Sequence, residues 1–309
     1  MTTMTASAHS HNSSRTPPLG LAIVGCGQIV THHLAAMASL RLPKAAFVVR
    51  ALCDPSAARR LVIEQVCRSA GLLLETNDDG STTTPGHLES LAELMAAPAL
   101  FRTVDVLFLA VPHDLHASLA TRALLESSKI VVLEKPLAPT RDECEQLVTL
   151  SATCRRAKEG SMLVMAEQSP YWQEVVRAKQ MIAEGDIGMV VTAAAYYYES
   201  MRDNVTSGSV NATGGLGWRG SLARAGGGIA MDGGLHWIRP LREMLGTRIA
   251  EVVGVTRQNL APELAMEGEC LGHALFKMAP PAGTAEKELA HEPSRQPPGR
   301  RAARGNLFL

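Results

Sequence analysis

The chain has no excess of charge: thirty Lys and Arg residues face thirty Asp and Glu, for a formal net charge of zero. A field of one sign that would gather nucleic acid or coat an anionic membrane is thereby excluded, and the expected partner is a small molecule. Nor is there a C-x-x-C pair. The six cysteines, at 26, 53, 67, 144, 154 and 270, are scattered, which fits reduced thiols in a cytoplasmic setting and argues against a disulfide framework or a zinc site. No metal is expected. No apolar run approaches the length that spans a bilayer, and residues 1–18 are rich in Thr, Ser and His without an apolar centre. They are expected to be a disordered lead-in. No internal repeat is visible.

What is present is ordinary globular material: 309 residues, 46% hydrophobic and 19% charged, enough for two domains with their own cores. The apolar run 19–24 reads as a strand, and Val30, Leu34, Met37 and Ala38 then recur at helical spacing. Residues 47–53 form a second strand, closing one βαβ unit. Residues 76–87 break all periodicity and read as a surface loop, with a helix over 87–97 behind it. The run 104–111 suits a strand buried on both faces of a parallel sheet. A helix over 116–127 and a strand over 129–133 follow, and Thr140 with Glu143 makes a capping box for the next helix. The strand 161–166 ends a first domain, placed at 19–168.

From Ser169 the pattern changes. A helix runs from Tyr171 to Gly185, residues 189–198 are strand-like, and the glycine-rich stretch 205–228 reads as a long loop near a ligand. A helix begins near His236, and strands follow over 249–257 and 269–278. This second domain, 169–278, is expected to be α+β. Its three candidate strands are too few to cover an apolar face, so its sheet reads as incomplete. Residues 279–309 lose all hydrophobic period and are expected to be disordered.

Gly25 and Gly27 stand where a strand meets a helix, so bare N–H groups, with those of Gln28 and Ile29, can meet a pyrophosphate at the helix N-terminus. A turn with purely steric glycines is the competing reading, since Val30 replaces the third fingerprint glycine. Asp54 closes the second strand, where a carboxylate can accept ribose hydroxyls and favour NAD. Arg59 and Arg60 keep NADP open as the alternative. Glu134 and Lys135 follow a buried strand at the edge where open α/β sheets bind ligands, and burial could tune the ammonium for proton transfer. Pro112, His113 and His116 lie near the nicotinamide position, or serve as turn and cap residues. Asp232 and His236 fall on one face if their segment is a single helix, although a histidine beside Trp237 and Ile238 also suits a core. Trp218 and Arg219, in the glycine-rich loop, read equally as substrate contacts or as residues that loop exposure alone explains.

In this order, three segments carry a likeness: Val104-Asp-Val-Leu-Phe-Leu-Ala-Val-Pro-His113-Asp-Leu-His116, Lys129-Ile-Val-Val-Leu-Glu134-Lys135-Pro136 and Gly226-Gly-Gly-Ile-Ala-Met-Asp232-Gly-Gly-Leu-His236. The chain resembles the Gfo/Idh/MocA oxidoreductases over about 19–278. The resemblance implies a Rossmann doubly wound parallel sheet followed by an open, largely antiparallel sheet that often builds oligomers. It implies an NAD(P)-dependent dehydrogenase acting on sugars or polyols. Lys135 would polarise the substrate oxygen, His236 would exchange the proton, and Asp232 would bind substrate or Lys135. Two departures stand out: Arg239 replaces an acidic residue common in relatives, and further strands are missing after Met278, as in a truncated product. The alternative is an impaired nicotinamide-binding regulatory or scaffold protein.

Overall fold

A computed structural model of the chain describes residues 18–40, 46–72, 84–157, 160–198, 216–258, 260, 265–279 and 306–308. Six parallel strands form the first sheet: β1 (Leu19–Val24), β2 (Phe47–Cys53), β3 (Gly86–Leu88), β4 (Val106–Leu109), β5 (Ile130–Glu134) and β6 (Met162–Ala166), in the order β3-β2-β1-β4-β5-β6. That order, reversing between β1 and β4, is the doubly wound dinucleotide-binding arrangement, with its ligand crevice at the carboxyl ends of the strands.

The central strands are continuously apolar because helices cover both faces. On one face Leu107, Leu109 and Leu133 pack with residues of α5 (His116–Glu126) and α6 (Arg141–Arg156), among them Ala120, Ala123 and Leu147. On the other, Leu21, Ile23 and Phe108 meet Val30 and Leu34 of α1 (Gln28–Ser39) and Ile63 of α2 (Ala57–Ser69). Each fully buried leucine or isoleucine contributes roughly 1.5–3 kcal/mol of transfer free energy. The Thr140–Glu143 capping box forms as the sequence predicts and starts α6 cleanly.

Beyond the sheet come α7 (Gln173–Glu184), ended by Gly185 in a left-handed conformation, and the short β7 (Thr192–Ala194). Next are α8 (Leu222–Ala225), α9 (Ile229–Asp232) and α10 (Leu235–Leu245). The antiparallel pair β8 (Ile249–Arg257) and β9 (Leu271–Met278) follows. Val253 and Leu275 on this pair are 73% and 80% exposed. Among the described residues, no helix is long and apolar enough to cross a membrane.

Several expectations need correction. Gly86–Leu88 is a strand, paired with Ala51–Cys53, where a loop and helix start are predicted; three residues are too few to show a period, and pairing to β2 decides the outcome. The helix over 87–97 is in fact α3 (Leu91–Met95), capped by Ser90, with α4 (Pro98–Phe101) after it. Of the strand-like stretch 189–198 only β7 is strand. Residues 217–220 and α8 are single helical turns rather than open loop, while residues 199–215 lie outside the described set. In the region expected to be disordered, Asn306–Phe308 forms β10, parallel to β7 through main-chain pairing that a side-chain period does not report. Residues 1–17, 280–305 and 309 lie outside the described residues.

Candidate active site

The candidate residues of the first sheet stand at its carboxyl edge: Gly25, Asp54 and Lys135 directly follow β1, β2 and β5, Glu134 ends β5, and Pro112, His113 and His116 lie between β4 and the first turn of α5. The turn after β1 is shaped by Gly25: its φ is +91°, and a Cβ there would lie 2.2 Å from the Ala110 carbonyl oxygen beside β4. Gly27, by contrast, faces open space, with no heavy atom within 4 Å of a built Cβ, and α1 begins after it without a side-chain cap. An uncapped helix N-terminus leaves its first N–H groups, near Gln28 and Ile29, without intrahelical acceptors. The cradle therefore fits a pyrophosphate. Val30, at the third fingerprint position, is wholly buried and packs α1 against the sheet.

Asp54 does not present a free carboxylate. One oxygen accepts the Cys26 N–H at 2.9 Å and the other the Ser56 N–H at 2.8 Å, so the side chain braces the glycine turn from beneath. It still sits at the end of β2. Arg60 folds back to donate to the Asp54 carbonyl, and Arg59 remains exposed on the first turn of α2. Glu134 is likewise engaged. It meets His33 Nε2 of α1 at 2.5 Å and accepts the Lys135 N–H at 3.1 Å, tying β5 to the helix that carries the phosphate cradle.

Pro112 opens a single 3-10 turn that carries His113 and leads into α5. His113 is buried, its Nδ1 2.9 Å from the Ala225 carbonyl and its ring 4.4 Å from that of Trp218. Burial pushes its pKa down to about 4, against the smaller opposing effects of the Ala225 carbonyl and Asp232, so the ring is neutral at physiological pH. His116 has no exposed surface and lies behind the loop, with ring nitrogens at 2.7 and 3.0 Å from the Pro136 and Val111 carbonyls.

The second half of the chain closes over this edge. Lys135 Nζ donates to Asp232 twice, to its carbonyl and to Oδ1, both at 2.6 Å. Arg219 Nε donates to the other carboxylate oxygen at 3.0 Å, and its guanidinium stacks on Trp218. Burial alone would raise the Asp232 carboxyl, but Lys135 and then Arg219 overcome it and hold the pKa at about 2. The glycine triplet at 226–228 lets this backbone come close: a Cβ on Gly226, whose φ is +81°, would sit 2.8 Å from Pro139.

Asp232 and His236 are not on one helix face as predicted. α9 ends at Asp232 and α10 starts at Leu235, with Gly233 and Gly234 as the break. His236 instead turns its Nδ1 to Glu167, 2.8 and 3.1 Å from the two carboxylate oxygens. Burial again works against ionisation of Glu167, yet hydrogen bonds from His236 and Ser169 hold its pKa at about 2. Sequence reasoning missed Glu167 and His33. The available signal was position, since Glu167 directly follows β6 as Asp54 follows β2. Among the described residues, no group of three or more His, Cys, Asp or Glu could hold a metal ion.

This edge defines a dinucleotide-binding oxidoreductase architecture, and comparison with known proteins agrees. Residues 19–158 match the model of the oxidoreductase family with an NAD-binding Rossmann fold, and residues 175–284 match the GFO/IDH/MocA C-terminal domain. The chain therefore belongs to the Gfo/Idh/MocA oxidoreductase family, and its first sheet is the family's NAD-binding Rossmann fold. An uncharacterized oxidoreductase of Schizosaccharomyces pombe is 26% identical over 254 residues, 81% of this chain and 58% of that one. The 1,5-anhydro-D-fructose reductase of Ensifer adhaerens is 25% identical over 61% of this chain and 50% of its own. The crystal structure of GenD2 from gentamicin A biosynthesis, in complex with NAD, is similar with a TM-score of 0.63 at 22% identity, covering 90% of this chain and 66% of that one. The chain thus spans between half and two thirds of the length of these proteins.

Proposed function

We propose that this protein is an NAD(P)-dependent dehydrogenase or reductase that acts on a CH–OH group or its carbonyl in a sugar, polyol or related compound. The observation that carries the reading is the Lys135–Asp232 ion pair, which joins the end of β5 to the second half of the chain, together with His236, four residues beyond Asp232, paired to Glu167 just past β6. Such groups in a cleft are the usual agents of proton transfer. Gly25, Gly27, Gln28 and Ile29 would hold the pyrophosphate, with Asp54 bracing them on the adenosine side and Pro112 and His113 lining the nicotinamide side. The bound cofactor supplies or accepts the hydride. Lys135 binds the substrate oxygen and steadies negative charge on it, Asp232 orients Lys135, and His236 takes or returns the hydroxyl proton.

Asp54 at the end of β2, with Arg60 already occupied by its carbonyl, favours NAD over NADP. The exposed β8–β9 pair supports a homo-oligomer, and the zero net charge with scattered cysteines supports a cytoplasmic protein without nucleic-acid or membrane partners. The deciding experiment measures NADH and NADPH binding by fluorescence, then turnover on a panel of polyols and aldoses. We expect turnover with at least one of them and a loss of kcat/KM of about 100-fold or more in Lys135→Ala. Cofactor binding without turnover across the panel would refute the catalytic reading and favour a nicotinamide-binding regulatory protein.

A further inference from the structure

The D-x-x-x-H spacing suggests that Asp232 serves His236, but the geometry divides the two. Both Asp232 oxygens are engaged, Oδ1 by Lys135 and Oδ2 by Arg219. The Gly233–Gly234 break sends His236 elsewhere, and the carboxylate it meets belongs to Glu167. Glu167 is well fixed for this: it sits one residue past β6, its side chain is 13% exposed, and Oε1 accepts the Ser169 N–H at 2.9 Å. His236 Nε2 has no partner among the described residues. We infer that Glu167 is the positioning residue of His236, holding the imidazole in its Nδ1–H tautomer so that Nε2 is the atom that exchanges the substrate proton.

The inference rests on the dehydrogenase reading for its chemical step. In the oxidising direction the substrate O–H proton passes to Nε2, the C–H electron pair leaves as hydride to NAD(P)⁺, and C–O becomes C=O. The imidazolium left behind keeps its Nδ1–H on Glu167, whose negative charge offsets the new positive one. In the reducing direction each transfer reverses. Asp232 takes no part in the tautomer.

The test separates the pairing from turnover. Two-bond ¹H–¹⁵N spectra of ¹⁵N-histidine-labelled protein, with His236 assigned through its backbone, read the tautomer directly in the neutral form. We expect Nδ1–H in the native chain and in Asp232→Asn. In Glu167→Gln the Ser169 N–H claims the amide carbonyl, so the NH₂ faces Nδ1 and forces the Nε2–H tautomer. The corresponding change in a Ser-His-Asp triad abolishes most catalysis through the wrong tautomer. On a polyol substrate, kcat should fall about 100-fold or more with KM nearly unchanged. Native His236 carrying its proton on Nε2 would overturn the proposal, as would Glu167→Gln with tautomer and kcat both unaltered. Should Glu167→Gln not fold, the native tautomer decides alone. A native Nδ1–H form in a protein that turns over nothing upholds the pairing and defeats only the dehydrogenase reading.

Discussion

Alanine at Gly27 and alanine at Gly25 should fail in opposite ways, although the two glycines share one turn. Gly27 has φ −81° and ψ 177°, which any residue adopts, and its Cβ would touch nothing within 4 Å. Losing glycine at a helix N-cap costs about 1 kcal/mol at most, so Gly27→Ala should fold nearly as well as the native chain. The new methyl group, however, fills the approach to the first N–H groups of α1. Displacing a phosphate from two charge-assisted hydrogen bonds, each about 1.5–3 kcal/mol, weakens binding by about 3 kcal/mol or more, roughly 100-fold in Kd. Gly25→Ala instead places a Cβ at φ +91° and 2.2 Å from the Ala110 oxygen. Strain of about 1–3 kcal/mol adds to a backbone overlap that must be relieved by moving β4, so the loss should be on the order of 3 kcal/mol in stability. Urea denaturation measures the stabilities and NADH fluorescence titration the affinities. A Gly27→Ala protein that binds NADH like the native chain would refute the assignment of the cradle.

Acidification offers a second prediction. Asp232 and Glu167 have ordinary pKa values of 3.8 and 4.5 and are both held at about 2 in the folded chain. Depressed carboxyls stabilise the fold above their unfolded pKa, and that stability is lost as pH falls through the folded value. Between pH 6 and pH 3 the pair should lose on the order of 3 kcal/mol, and Glu167→Gln should flatten that fall; an equally steep profile in the variant would contradict the reading. In the core, Leu107→Ala removes a side chain with no exposed surface from the centre of the first sheet. It should cost about 2–5 kcal/mol in urea denaturation, with NADH affinity preserved at temperatures where the variant remains folded.

The sheet was legible because its strands are apolar on both faces and because Gly25, Asp54, Pro112 and Lys135 each punctuate a strand end. Position along the chain then placed them at one edge. Partnership was less legible. A four-residue spacing suggests a shared helix face, and only the Gly233–Gly234 break, fitted beneath the Tyr197 ring, separates Asp232 from His236. Glu167 carried no motif at all, and its role depends on α10 docking near the end of β6. The single-turn helices of 216–232 were hidden for the same reason. They are held by contacts across the molecule, such as Arg224 with Asp114 and the Ala225 carbonyl with His113, rather than by a local period.

These partnerships give the site two electrostatic units with different duties. Lys135 and Arg219 share the single carboxylate of Asp232; on the proposed dehydrogenase reading, two cations on one carboxylate leave net positive charge for a substrate oxygen that gains negative charge. His236 has a separate carboxylate beside it, that of Glu167, so on the same reading it takes a proton without drawing on Asp232. Were Asp232 to serve both, each protonation of His236 would draw the carboxylate away from Lys135, and the ammonium would lose the group that orients it at the moment the proton moved. On the proposed reading, keeping the carboxylates apart lets proton transfer and oxygen binding proceed in the same step, and the glycine break between Asp232 and His236 is the feature that keeps them apart.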